Sequence, residues 1–138
     1  MKLHLEVITP TKVVLSEEVD EIIINTASGE ITILPNHIDL LTKLVPGEMI
    51  VKTGSKTQSL AVNGGFLEIS NNKVSILADY AVRAADIEIA KAKEAKEQAE
   101  KVMKNKEVNK AFVVAEAKLR KALLELKVAT KHHSSRLH

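Results

Sequence analysis

Side chains able to do chemistry are sparse in this 138-residue chain. There is no cysteine, which excludes thiolate zinc sites, disulfides and cysteine nucleophiles together. Three of the five histidines, His132, His133 and His138, gather in the tail. A histidine cluster can hold a metal. Here no carboxylate stands close by and no apolar period continues past Thr130, so the expectation is a frayed terminus without a metal. Ser134 and Ser135 sit beside these histidines with nothing to orient them as nucleophiles. No P-loop and no G-x-S-x-G elbow occurs, and Gly64-Gly65 reads as a turn or bulge, not a phosphate cradle. The chain offers no catalytic constellation and is not expected to be an enzyme.

Two remaining groups suit contact better than reaction. Glu30, Asn36 and His37 flank Pro35, which fixes φ and ends an extended segment. Polar groups on such a connection are placed to meet a partner, although His37 could equally hydrogen-bond its own loop. The second group is basic: Lys118, Arg120, Lys121 and Lys127 lie in a segment, 110–138, with seven bases against two acids. Residues 1–85 are mildly acidic, with seven bases against ten acids. A basic helix face is in the ordinary case simply solvated.

These groups belong to two segments of different grammar. Up to about Ala84, β-branched residues alternate with polar ones, as in Leu3, Leu5 and Val7 against Lys2, His4 and Glu6. That spacing predicts strands. Short runs at Val13–Leu15, Ile22–Ile24, Ile31–Leu34, Met49–Val51, Leu60–Val62, Phe66–Ile69 and Val74–Leu77 continue it, separated by Gly, Pro and Asn turn signals. Asn71-Asn72 suits a two-residue hairpin, since Asn tolerates positive φ. Many short strands with frequent turns predict an all-β sandwich or barrel over residues 1–84, of a size just able to bury its own core.

From Asp86 onward there is neither Gly nor Pro, and Ala, Glu, Lys and Leu dominate. This composition predicts helix. Asp86 is the candidate cap or first-turn acid, a first helix is expected over about Ile87–Lys104, and a second over about Ala111–Ala129. Asn105 and Asn109 bracket the turn. Ala115, Leu119, Ala122, Leu123, Leu126 and Ala129 make the stripe of the second helix, its leucines expected to face the alanines of the first in an antiparallel hairpin, 85–138. The fold class expected is therefore α+β, a sandwich followed by a two-helix hairpin.

The net charge of +2 and the three aromatics, Phe66, Tyr80 and Phe112, give nucleic acid neither a charge field nor a stacking platform. No apolar run approaches the roughly 20 residues that span a bilayer. The opening residues resemble neither a signal nor a transit peptide, which predicts a soluble protein acting in the compartment where it is made. The residues alone define an interaction protein, a generic adaptor with a basic hairpin.

A family resemblance narrows this. The run Gly29-Glu30-Ile31-Thr32-Ile33-Leu34-Pro35-Asn36-His37-Ile38-Asp39-Leu40-Leu41-Thr42 resembles the G-E-x-x-I-x-P-x-H-x-x-L-L-T segment of F-type ATP synthase epsilon subunits. Leu5–Pro10, Gly64–Ile69 and Val74–Asp79 are similar to three further family segments, in order. The resemblance implies a rotor protein at the cytoplasmic face of the bacterial membrane. Its sandwich would dock on the gamma subunit and on the c ring, with Glu30, Asn36 and His37 at the ring. Its hairpin, when extended, would reach the catalytic alpha and beta subunits and inhibit ATP hydrolysis through Lys118, Arg120, Lys121 and Lys127.

Some family members bind ATP between the hairpin helices through [IL]-D-x-x-R-A. Here the matching residues are Ile87, Glu88, Lys91 and Ala92, with Glu for Asp and Lys for Arg. Lysine lacks arginine's planar fork for phosphate. Regulatory ATP binding is therefore expected to be millimolar or absent, about 4 kcal/mol or less, and no cofactor is expected.

Overall fold

The structure, a computed structural model, describes residues 1–104 and 110–136, the last four by backbone alone. It divides into two compact units, Met1–Arg83 and Ala84–His138.

The described residues of the first unit hold ten strands: β1 (Leu3–Ile8), β2 (Val13–Val19), β3 (Glu21–Thr26), β4 (Gly29–Ile33), β5 (Leu40–Lys43), β6 (Gly47–Thr53), β7 (Lys56–Asn63), β8 (Phe66–Ser70), β9 (Lys73–Leu77) and β10 (Tyr80–Arg83). They form two five-stranded sheets, ordered β2-β1-β9-β8-β5 and β10-β7-β6-β3-β4. The period-two pattern decides which face each side chain takes. Leu3, Leu5, Val7, Leu67, Ile69, Val74 and Ile76 from the first sheet are buried with Ile22, Ile24, Met49, Val51, Leu60 and Val62 from the second. Each such side chain contributes about 1.5–3 kcal/mol by leaving water. On β2, Val14 and Leu15 are both buried although adjacent. A register shift at Val7/Ile8 marks the irregularity that allows this.

The strand reading of the sequence is extended by two short edge strands, β5 and β10, which alternation did not reveal. Asn71 and Asn72 both have positive φ, 50° and 62°. They join β8 and β9 with Ser70 opposite Lys73, which is the two-residue hairpin expected. The chain crosses between sheets at several corners. One is Asp20, between β2 and β3. Its Oδ2 accepts the Gly54 N–H at 2.6 Å, and Lys2 Nζ lies 3.5 Å from its Oδ1.

The Gly54 N–H, and secondarily Lys2, hold the Asp20 carboxyl below the ordinary carboxylate range. A depressed folded pKa contributes stability that is present above the unfolded pKa and is lost as pH falls through the folded one. Thermal melts of Asp20→Asn between about pH 4 and pH 2 should therefore show a shallower acid loss than the parent. Equal slopes would remove this role from Asp20.

The second unit begins with a 3₁₀ turn, Ala84–Asp86, followed by α1 (Ile89–Met103) and α2 (Lys110–Arg136). Asp86 belongs to the turn and does not cap α1. The Ile87 N–H donates to the Ala84 carbonyl at 3.3 Å. The N-cap is Glu88, in extended conformation with no side-chain cap bond. So α1 starts two residues later than the composition suggested. The α2 helix runs seven residues past Ala129, through the segment expected to fray, and the His132 Nε2 is buried. Asn105, Asn109 and His138 lie outside the described residues.

The seam keeps alanines of the expected stripes and leaves out the leucines. The buried residues are Ala92 and Ala99 on α1, with Ala115, Ala122, Val128 and Ala129 on α2. Ala92–Ala99 and Ala115–Ala122–Ala129 repeat every seven residues, a heptad seam of small side chains. Leu119 and Leu126 are half-buried and Leu123 is exposed. Of the expected stripe, Ala115, Ala122 and Ala129 are buried, while the leucines expected to face the alanines of the first helix are not.

Candidate functional site

The Glu30–His37 segment leaves the second sheet along its edge strand and turns. Glu30 lies on β4 opposite Asn25 of β3, and its side chain is exposed. Beyond β4 the His37 N–H donates to the Leu34 carbonyl at 3.2 Å. Pro35 occupies the second position of this turn, and Asn36 the third with φ 68°. This is the pattern of a type II turn, in which Pro presets the second residue and Asn tolerates positive φ at the third.

His37 is half-buried, and its Nδ1 lies 2.7 Å from the Ile38 carbonyl. A carbonyl only accepts, so Nδ1 carries the proton and a neutral ring keeps its Nε2 lone pair for another partner. His37 therefore bonds its own loop and still has a free acceptor. Beside it, Ile38 is 78% exposed and Leu34 is also exposed. Sequence reading passed over these two. The signal was present, in the apolar residues that flank Pro-Asn-His where polar ones are usual.

A second apolar feature lies on the outer face of the first sheet. Phe66 pairs with Leu77 across β8–β9. Leu77 pairs with Ile8 across β9–β1, and Ile8 with Val13 across β1–β2. Their neighbours Leu67, Ile76, Val7 and Val14 point into the core, so this row points outward. Phe66 and Leu77 are 55% and 56% exposed. Leu41, on the neighbouring edge strand β5, is exposed as well. Here too the sequence held a signal, since Phe66 and Leu77 fall on the outward positions, where alternation predicts polar residues.

On the hairpin, an open groove of about 1060 Å³ runs between α1 and α2. Its floor includes Ala92, Ala99, Ala115 and Ala122, and its rim Lys91, Lys118 and Lys121. The four bases singled out on α2 are not one patch. Lys118 and Lys121 border this groove. Arg120 and Lys127, seven residues apart, share the opposite side of the helix, and Arg120 is paired with Glu116.

The Ile87–Ala92 motif is likewise divided. Ile87 precedes the helix and is half-buried, while Ala92 is in the seam. Lys91 Nζ and Glu88 Oε2 pair at 3.2 Å. The motif itself offers a phosphate one ammonium, already engaged by a carboxylate, and no guanidinium fork. Among the described residues no group of three His, Asp or Glu side chains could hold a metal ion. None of their helices is long and apolar enough to cross a membrane.

Sandwich and hairpin together define a class. Residues 2–84 match the family described as ATP synthase, Delta/Epsilon chain, beta-sandwich domain, and residues 85–130 match the corresponding long alpha-helix domain. The chain belongs to the ATP synthase delta/epsilon family.

Within that family its likeness is to epsilon members. It is 46% identical over 131 residues to the ATP synthase epsilon chain of Dehalococcoides mccartyi, covering 94% of each chain. It is 42% identical over 137 residues to that of Chloroflexus aggregans, covering 99% of this chain and 98% of the other. It also superposes on a chain of the Euglena gracilis mitochondrial ATP synthase with a TM-score of 0.67 and 24% identity, covering 99% of this chain and 82% of that one. A chain of the Tetrahymena thermophila ATP synthase central stalk and c ring gives 0.57 and 14%, covering 94% and 97%. These two likenesses bear on the fold alone. The chain is a non-catalytic part of the membrane-associated ATP synthase.

Proposed function

We propose that this chain works as a rotor subunit at the cytoplasmic face of the bacterial membrane, coupling ion flow to ATP synthesis. The sandwich, residues 1–84, docks on the gamma subunit through the Phe66–Leu77–Ile8–Val13 row and on the c ring through Glu30, Asn36 and His37. The apolar row carries the reading. A small domain that needs no partner would keep those outward positions polar, and four apolar residues in cross-strand register make a continuous strip. The family supplies the occupant. A generic adaptor would also need such a strip, but the match over both units favours the rotor.

The hairpin, residues 85–138, acts on the catalytic alpha and beta subunits when it extends. Two observations support this. Its seam is built of alanines, which bury little area and hold the pair weakly. Its second helix is basic on two sides, so parting the helices still leaves bases to meet an acidic surface. The Glu88–Lys91 pair and the missing arginine argue against ATP sensing through Ile87, Glu88, Lys91 and Ala92.

One experiment addresses inhibition and sensing together. ATP hydrolysis by the assembled enzyme is measured with the full chain and with a chain ending at Asn105, across ATP concentrations. Truncation should raise activity about threefold or more, equivalent to roughly 0.65 kcal/mol in the barrier. Micromolar ATP should not relieve inhibition by the full chain. Unchanged activity on truncation would remove the inhibitory role, and relief at micromolar ATP would restore the sensing one.

A further inference from the structure

We infer that Asn72 is a positioning residue for the Pro35–His37 turn, holding the contact loop in its docking conformation from a hairpin on the other sheet. Type I and type II turns differ by a flip of the central peptide. Here that peptide joins Pro35 to Asn36. The turn's own hydrogen bond runs from the His37 N–H to the Leu34 carbonyl and does not use the Asn36 N–H. That N–H donates to Asn72 Oδ1 at 2.6 Å, from a residue 36 positions along the chain. The bond engages the flipped peptide and so selects type II over type I. The selection matters because Asn36 sits at φ 68°, which is disfavoured for any residue with a Cβ.

Asn72 is itself held firmly. It is the second residue of the β8–β9 turn, at φ 62°. Its carbonyl accepts the His4 N–H at 2.8 Å, which ties the turn to the start of β1. The carboxamide orientation follows from chemistry, since the Asn36 N–H needs an acceptor and so faces oxygen. The nitrogen then faces Met1 Sδ at 3.8 Å. The hairpin turn alone does not require this side chain. Glycine adopts positive φ with less strain. What asparagine adds at this position is the oxygen that reaches Asn36.

The consequence is directional. The turn sets where the His37 Nε2 and the exposed Ile38 point. With the latch, those groups are presented in one orientation. Without it, the central peptide samples both turns, and the partner must select one on binding. This rests on the proposed docking of the loop on the c ring.

The test uses the full-length chain and purified c ring. Asn72→Gly keeps the hairpin turn and removes the oxygen, and should weaken ring affinity about fivefold. Asn72→Asp keeps an acceptor at Oδ1 and should restore affinity to within about twofold of the parent. In a His37→Ala background, Asn72→Gly should add less than about twofold, because the two act through one contact.

Amide exchange gives a readout that does not depend on the ring. The Asn36 N–H should exchange faster in Asn72→Gly, while the Leu67 and Ile69 amides of β8 stay protected. If His37→Ala leaves ring affinity unchanged, the docking reading fails, while Asn36 exchange still reports the latch. If Asn72→Gly changes neither affinity nor Asn36 exchange, or if Asn72→Asp fails to rescue, the latch is overturned.

Discussion

Replacing both Phe66 and Leu77 by glutamate should detach the chain from the gamma subunit while leaving it folded. The two side chains meet across β8 and β9 and stand more than half exposed, so the substitution disturbs little of the core beneath. Their inward neighbours, Leu67 and Ile76, are untouched and fully buried. At a docked surface each would be an anchor of about 2 kcal/mol or more. Losing both therefore costs about 4 kcal/mol, or roughly a thousandfold in affinity. Two buried carboxylates without partners add to that loss. Sedimentation of the variant with gamma subunit checks the binding, and its melting temperature checks the fold. Retained binding with an unchanged fold would move the docking surface elsewhere.

Gly65→Ala should act in the opposite way, by unfolding the sandwich. Gly65 connects β7 of one sheet to β8 of the other, at φ 106°. A Cβ there would collide with the Leu77 carbonyl and crowd Ala78 Cα, both backbone atoms. Neither can swing aside as a side-chain tip would. The Gly65 carbonyl also accepts the Leu44 N–H at 2.8 Å, so relief by local movement would break a corner of the sandwich. The strained φ costs about 1–3 kcal/mol, and the forced backbone shift about 1–3 more. A small domain has only about 5–15 kcal/mol in hand. The melting temperature should fall by about 8 °C or more. By contrast, Gly54→Ala at φ 60° meets open space and should cost only the strain of that φ, about 1–2 kcal/mol, without the backbone shift. Similar melts for the two variants would contradict the argument from Leu77.

The strands most legible in the sequence were those with one buried face. Leu3, Leu5 and Val7 alternate cleanly because β1 lies inside its sheet, with β2 on one side and β9 on the other. The two strands missed, β5 and β10, are four residues long and lie at sheet edges. Too few positions are buried there to print a period. Gly64-Gly65 was recognisable as a turn. That Gly65 has no room for a Cβ depends on the Leu77 carbonyl, which no local pattern reveals. The same holds for Asn72, legible as a hairpin residue but not as the partner of Asn36.

The hairpin was legible in kind and less so in detail. The absence of Gly and Pro predicted helix, and the same absence lets α2 continue through Lys131–Arg136 after the apolar stripe has ended. Ala115, Ala122 and Ala129 were legible as part of the stripe and are buried. The leucines beside them were overrated because they are large, whereas small size is what permits close approach along the seven-residue repeat. Of the candidate site residues, Glu30, Asn36 and His37 do lie along one exposed strand and turn. The bases of α2 do not lie on one face, because residues two apart on a helix point in widely different directions.

Calorimetric titration of the intact chain into purified gamma subunit tests the rotor assignment most directly. Binding should be one-to-one, with a dissociation constant of about a micromolar or tighter, and should carry a negative heat-capacity change, as expected when an apolar strip leaves water. No binding heat at any temperature, with gamma at about 100 μM, would contradict it.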